Sequence, residues 1–157
     1  GLGVLLLHYQ TRGKSMGLRS AQMRHFVWTT NLFLTGVWFL VAGCLARANI
    51  GPGPYIELIG FVPVVIVYPS MTIVGGIVQI IVGLLGIAVG AFKKLLRPFT
   101  GLLMFSWVVS VIFFVWGQTF LAEAETLSVA LTGLTVALYW IAAHATSDLY
   151  YEVKGGL

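Results

Sequence analysis

Charged residues are scarce in this chain of 157 residues. Lys, Arg, Asp and Glu make up 9% of it, whereas an ordinary soluble domain has about 25%. Hydrophobic residues make up 59%, and the mean hydropathy is +0.96. A soluble fold could not bury so much apolar surface, because the buried fraction rises only slowly with chain length. The composition predicts an integral membrane protein, and the net charge of +4 indicates membrane orientation rather than a nucleic-acid partner.

The residue types that build most catalytic and metal sites are also few. A single cysteine, Cys44, excludes an internal disulfide and cannot hold a metal cluster alone. The sequence has no CxxC, HExxH, GxSxG or phosphate-loop motif. No acidic or basic residue lies in the middle of a predicted helix, which argues against proton relays, ion-coupled transport and voltage sensing. We therefore predict a protein that is not an enzyme and has no catalytic residue, no metal site and no required cofactor.

Long uncharged segments are what the chain has in abundance. Three of them, at 25–46, 99–121 and 126–147, have about the 20 residues that a membrane-spanning helix needs. The fourth, 58–92, has 35 residues without a charge. As one helix it would measure roughly 52 Å, against a hydrocarbon core of about 30 Å. This segment is too long for one crossing and short for two.

The basic residues decide between these possibilities. If 58–92 crosses once, eight basic residues share one side of the membrane: Arg12, Lys14, Arg19, Arg24, Lys93, Lys94, Arg97 and Lys154. Only Arg47 then lies on the other side. Two crossings would move the cluster at 93–97 across and destroy this asymmetry. The positive-inside rule therefore predicts one crossing.

The surplus length precedes the second helix, where Pro63 and Pro69 disfavour helix. We predict a short, kinked apolar element there, packed against protein because unsatisfied amides are costly in lipid. One long, tilted helix with a proline kink is the alternative. The predicted fold class is an all-α integral membrane protein, a four-transmembrane-helix antiparallel bundle with both termini on the basic, inner side. Its parts are an arm at 1–24, a membrane domain at 25–147 and a tail at 148–157, with helices at about 25–46, 70–92, 99–121 and 126–147.

This layout of four helices, internal termini and short loops resembles that of MARVEL-type tetraspans, which scaffold membranes. The resemblance covers the topology and no motif. Features of claudins and tetraspanins are missing, since the first loop has no cysteine pair and the chain has no CCG. The resemblance implies a scaffolding role, and a holin-like self-assembling pore shares the same layout.

Small residues recur along the predicted helices at spacings that place them on one face. Such residues allow helix backbones to approach closely within a membrane. The interpretation that we favour is packing within the bundle, and the alternative is that the stripe on the second helix binds another membrane protein. The glycines in this set are Gly36, Gly43, Gly76, Gly83, Gly86, Gly90 and Gly133.

Polar residues within the helices supply the remaining candidates. Gln79 and Asn31 are predicted to form interhelical hydrogen bonds. His144 lies four residues before Asp148, a carboxylate that could orient a ligating imidazole. His25 opens the first helix on the same side of the membrane. His144, with His25 as a second ligand, is therefore a speculative site for haem or chlorophyll, and interfacial histidines are the default interpretation.

The sequence favours a non-catalytic accessory subunit of a larger membrane complex that contacts membrane lipids and other integral membrane subunits. A haem- or chlorophyll-binding subunit of a respiratory or photosynthetic complex is the first alternative. A MARVEL-like scaffold or a holin-like pore is the second. The predicted localisation is multi-pass integral membrane, in a plasma membrane or an energy-transducing organelle.

Overall fold

The described part of the computed structural model of this protein contains four long helices and one β-hairpin. The structure describes Gly3 and residues 17–49, 55–59, 62–66, 69–117 and 126–155. The elements, in chain order, are α1 (Leu18–Asn49), β1 (Tyr55–Ile59), β2 (Val62–Ile66), α2 (Pro69–Val89), α3 (Lys93–Gly117) and α4 (Thr126–Lys154). The predominantly helical fold predicted from the sequence is confirmed.

Three of the helices are long and apolar enough to cross a membrane, judged over the described residues. They cover Leu18–Ala48, Ser70–Val89 and Lys93–Ile112. The uncharged segment 58–92 therefore contributes one such helix, and the prediction of a membrane protein is confirmed at this level. The fourth helix, α4, is not among the three, so its crossing stays a prediction.

The bounds of α3 differ from those expected. The helix was predicted from residue 99, with "KKLLRP" as a loop, but it begins at Lys93 and contains Pro98. At the sixth residue of the helix, Pro98 removes the N–H that would bond to the carbonyl one turn back and crowds that carbonyl, so the disturbance is confined to the first turn of α3. The connection between α2 and α3 is therefore a tight turn at 90–92, closed by a hydrogen bond from the Phe92 amide to the Val89 carbonyl (2.9 Å).

The segment before α2 is a β-hairpin and not a kinked apolar element in an all-α fold. The strands pair antiparallel, from Tyr55 opposite Ile66 to Ile59 opposite Val62. Valine and isoleucine favour strands, and a proline is tolerated at an edge, which both strands of a hairpin provide. The alternative of one long kinked helix is also wrong, because α2 begins at Pro69. As predicted, this element packs on protein, since β2 lies against α1, α3 and α4.

Consecutive helices run antiparallel, as their contacts show. Gly36 of α1 meets Gly76 of α2, while Thr29, nearer the start of α1, meets Gly86, nearer the end of α2. Between α3 and α4, Gly101 lies against Tyr150. The start of α1, the turn at 90–92 and the end of α4 therefore share one end of the bundle, which also carries most of the described basic residues.

The core lies where α1, α3 and α4 meet. Its buried residues are Trp28, Leu32, Leu103, Trp107, Val111, Ala142, Ala143 and Ala145. Trp28 and Trp107 pack edge to face with centroids 6.3 Å apart, and Tyr139 lies 5.4 Å from Trp107. Trp28 is buried because α1 begins at Leu18, well before the predicted start at residue 25, and carries Trp28 into the bundle.

Candidate functional site

The glycines of α2 form its contact with α1. A Cβ built on Gly76 would lie 2.7 Å from the Gly36 carbonyl oxygen and 2.7 Å from the Leu40 nitrogen. Further along, Gly83 faces Phe33 and Gly86 faces Thr29, each at under 3.0 Å from such a Cβ. These glycines already pack against α1, so their face of α2 is not exposed for binding another protein.

Two other predicted packing glycines have different environments. Gly43 is buried on α1. No described atom lies within 4 Å of a Cβ built on Gly133, which is exposed on α4. The packing role predicted for Gly133 therefore has no partner among the described residues and stays a prediction. The described buried face of α4 carries alanines, Thr146, Leu149 and Val153, on the other side of the helix.

His25 is a structural link between α1 and α2. Its Nε2 lies 3.0 Å from the Gly86 carbonyl oxygen, and the ring sits where a Cβ on Gly90 would contact it at 3.0 Å. A carbonyl oxygen can only accept, so Nε2 carries the hydrogen and Nδ1 has the lone pair. Nδ1 is buried and has no hydrogen-bond partner. Nε2, the nitrogen that would bind a haem iron, is thus already hydrogen-bonded to Gly86.

His144 occupies a different environment. Its side chain is 52% exposed, and its Nδ1 lies 3.5 Å from Oδ2 of Asp148, one turn further along α4. The predicted pairing of His144 with Asp148 is therefore present. His25, buried against α2, and His144, exposed on α4, are not shown in contact. Of the two described histidines, His144 is the one whose side chain is exposed. Among the described residues, no three His, Cys, Asp or Glu side chains group as a metal site.

A buried ion pair was not foreseen from the sequence. Nη1 of Arg24 donates to Oε2 of Glu152 at 3.0 Å and joins the first helix to the last. The Arg24 side chain is 3% exposed. Gln22 adds a bond from Nε2 to the Ala91 carbonyl (3.1 Å), which ties α1 to the turn between α2 and α3. Arg24 had been counted only for membrane orientation, and residues so distant in sequence give no local signal of pairing.

Gln79 forms the polar contact between α2 and α3. Its Nε2 donates to Oγ of Ser110 at 2.8 Å, so the predicted interhelical hydrogen bond is confirmed. For Asn31 the same prediction is wrong, because its Nδ2 donates to the Val27 carbonyl one turn earlier in α1 (2.9 Å). Helix interiors often satisfy an Asn side chain locally in this way.

A small cleft adjoins Gln79. It has a volume of about 90 Å³ and is lined by Phe39, Met71, Thr72, Gly75, Gln79, Val109 and Ser110. It lies among α1, α2 and α3, and its lining is mainly apolar. Exposed Met71 and Val109 flank the cleft, whereas Thr72, Gln79 and Ser110 are buried. Sequence analysis identified Gln79 but had no means of locating the cleft.

No family model matches the chain, and no curated protein or solved structure is significantly similar to it.

Proposed function

We propose that this protein is a non-catalytic subunit of a larger membrane assembly, acting through helix packing and contacts with lipids and other integral membrane proteins. In this proposal all four helices cross the membrane and both termini lie on the basic, inner side. What carries the proposal is the use of polar groups in the described helices. Most of them are bonded within their own helix or to a neighbouring helix, and the large side chains that face outward are mainly apolar.

The hydroxyl groups illustrate this use. Thr29, Thr35, Ser106, Ser110 and Thr146 each donate to the backbone carbonyl four residues earlier. His25 and Gln79 link α2 to its neighbours, and Arg24 links α1 to α4. Groups satisfied in this way stabilise the fold and are poorly placed to act on a substrate.

The outward face of α2 is the surface that we assign to a partner. It lies opposite the glycine stripe and carries six large aliphatic side chains, each 43–60% exposed: Val74, Ile77, Val78, Ile81, Leu84 and Leu85. Because the small residues of α2 are already used against α1, a partner helix would meet this branched surface. Complementary side-chain packing, rather than close backbone approach, would then hold it.

The test combines native mass with substitutions on this face. The protein is extracted from its native membrane in mild detergent, and band mass and visible absorption are recorded on a native gel. We expect a large colourless complex that Ile77→Trp with Ile81→Trp reduces to the free chain. Leu34→Trp with Val41→Trp, on the equally exposed face of α1, should leave the complex intact. A wild-type protein that runs as a single chain, or an α2 variant that stays in the complex, contradicts the proposal. A small band that also leaks liposomes would favour the holin-like alternative.

A haem- or chlorophyll-binding subunit is the second candidate, and His144 with its Asp148 partner favours it. His25 would have to give up its bond to Gly86 to contribute a second ligand, so ligation by His144 alone is the version proposed. A coloured band that disappears in His144→Ala and persists in His25→Ala would support this candidate. A colourless wild-type band would exclude it.

A further inference from the structure

The cleft beside Gln79 contains a hydrogen-bonding group that the fold leaves unused. Oε1 of Gln79 is buried and has no hydrogen-bond partner, and the residue as a whole is only 7% exposed. A buried acceptor left unpaired loses the hydrogen bonds that water would give it, which destabilises the fold. Such a group within a membrane helix points to something that binds there.

The orientation of the carboxamide follows from the hydrogen bonds around it. The hydroxyl of Ser110 donates to the Ser106 carbonyl at 2.9 Å, so its hydrogen is committed. Ser110 Oγ can then only accept from Gln79, which fixes Nε2 on the Ser110 side and leaves Oε1 as the open acceptor. Gln79 lines the cleft, and a rotation about its broad χ3 torsion that is small enough to keep the bond from Nε2 to Ser110 would present Oε1 to it. The cleft therefore selects for a hydrogen-bond donor.

The size and lining of the cleft limit what supplies this donor. A volume of about 90 Å³ would hold about three waters, each of which needs two to four polar partners. The polar side chains of the lining are Thr72, Gln79 and Ser110, and Ser110 is already bonded to Gln79 and Ser106, so they are too few for three waters. A cavity of about 150 Å³ accepts a benzene ring, so a ring fits poorly in this smaller space. A short aliphatic chain end that bears one polar group fits both the volume and the lining.

The depth of Gln79 in the membrane limits the chemical class of the ligand further. Gln79 has ten residues of α2 on either side, so it lies about 15 Å from each end of the helix, near the middle of a hydrocarbon core of about 30 Å. The headgroup of a phospholipid cannot reach this depth, and a charged group would be strongly disfavoured. A neutral hydroxyl at the end of, or along, an aliphatic chain meets these conditions.

We propose that this cleft binds the hydroxyl group of an aliphatic alcohol, with the hydroxyl donating to Oε1 of Gln79 and the chain leaving past Met71 and Val109. The same chemistry has two sources, a free long-chain alcohol and a hydroxylated acyl chain of a membrane lipid. This site is independent of the outward face of α2, so it stands or falls separately from the proposed function.

Photolabelling in nanodiscs tests the site on the intact protein. The probe is octan-1-ol with a diazirine near its hydroxyl, and the comparison compound is its methyl ether, which cannot donate. We expect saturable labelling of the peptides that contain Met71, Gln79 and Val109, at about tenfold lower concentration for the alcohol, as the loss of one hydrogen bond implies. This comparison uses the wild-type protein and does not depend on a variant that folds.

Substitutions then locate the donor's partner. Gln79→Leu should abolish the difference between alcohol and ether, whereas Ser106→Ala, one turn from Ser110, should preserve it. Mass spectrometry of lipids that co-purify with the protein separates a free alcohol from a hydroxylated acyl chain. Equal labelling by alcohol and ether overturns the proposal, as does an absence of saturable labelling, which would mean that water alone enters. Labelling that appears only after another membrane protein is removed would assign the cleft to a side chain of that protein and also overturn it.

Discussion

Gly76 is the residue at which α1 and α2 approach most closely. A Cβ at this position would lie 2.7 Å from two backbone atoms, the Gly36 oxygen and the Leu40 nitrogen. Backbone atoms cannot rotate aside as a flexible side chain can, so any larger residue would force the two helices apart. The close approach gains dispersion contacts in a solvent that offers no hydrophobic driving force.

Substitution of Gly76 by alanine should therefore destabilise the bundle. We expect Gly76→Ala to lower the free energy of unfolding by about 1–3 kcal/mol, the usual penalty for overpacking. Gly133→Ala is the matched control, because nothing described lies near that site and alanine favours helix over glycine by about 1 kcal/mol. Thermal unfolding in detergent micelles, followed by circular dichroism, measures both. Equal effects at the two positions would contradict the packing described here.

Residue spacing predicted the stripe on α2 but not its counterpart on α4. Glycine recurs every seven residues on α2, which indicates a face too close to its neighbour for larger side chains. Gly76, Gly83 and Gly90 do lie against α1. On α4, Gly133 and Ala137 face outward, whereas Ala142, Ala143 and Ala145 are buried. Spacing identifies which residues share a face. It does not say which face the neighbouring helices cover, because that depends on distant parts of the chain.

At the scale of elements, the hairpin is the feature that departs most from expectation. Proline residues and the excess length indicated that helix could not fill the whole of 58–92. They did not indicate that the chain would pair with 55–59, where Glu57 lies opposite Val64. The run of valine and isoleucine there is compatible with a strand and with a buried helix, and composition alone does not separate them. Antiparallel pairing satisfies backbone groups that a kinked segment would have left open.

Cysteine pairs across the hairpin test its register. In a Cys44→Ser background, we expect Glu57→Cys with Val64→Cys to form a disulfide under mild oxidation, because directly opposite residues share a face and have neighbouring Cβ atoms. Glu57→Cys with Val65→Cys should form little, since a shift of one residue places the two side chains on opposite faces. Gel mobility before and after reduction gives the yield. Similar yields for both pairs would exclude the observed register.

On the scale of the whole molecule, charge and topology agree. The start of α1, the turn at 90–92 and the end of α4 meet at one end of the bundle, and Arg47 lies near the far end of α1. The sequence anticipated this grouping because basic residues at helix ends respond to membrane orientation. It did not anticipate the contacts that hold the end together, which join residues far apart in the chain.

Labelling of single cysteines tests the number of crossings and the sidedness. Glu57→Cys, Lys94→Cys and Lys154→Cys are introduced separately into Cys44→Ser and treated in intact cells with a membrane-impermeant maleimide. We expect reaction at position 57, and reaction at 94 and 154 only after permeabilisation. Labelling of Lys154→Cys in intact cells would show that α4 does not cross. Labelling of Lys94→Cys would contradict a single crossing by 58–92.

The ion pair between Arg24 and Glu152 also sets the order of events during synthesis. Its partners are 128 residues apart, so at a translation rate of about 5–20 residues per second Arg24 waits roughly 6–25 s for Glu152 to be made. During that interval the bond that joins α1 to α4 at this guanidinium, which is 3% exposed in the finished fold, is missing. This link between the first and the last helix therefore forms only when the end of α4 has been made, and a chain that stops short of Glu152 lacks it.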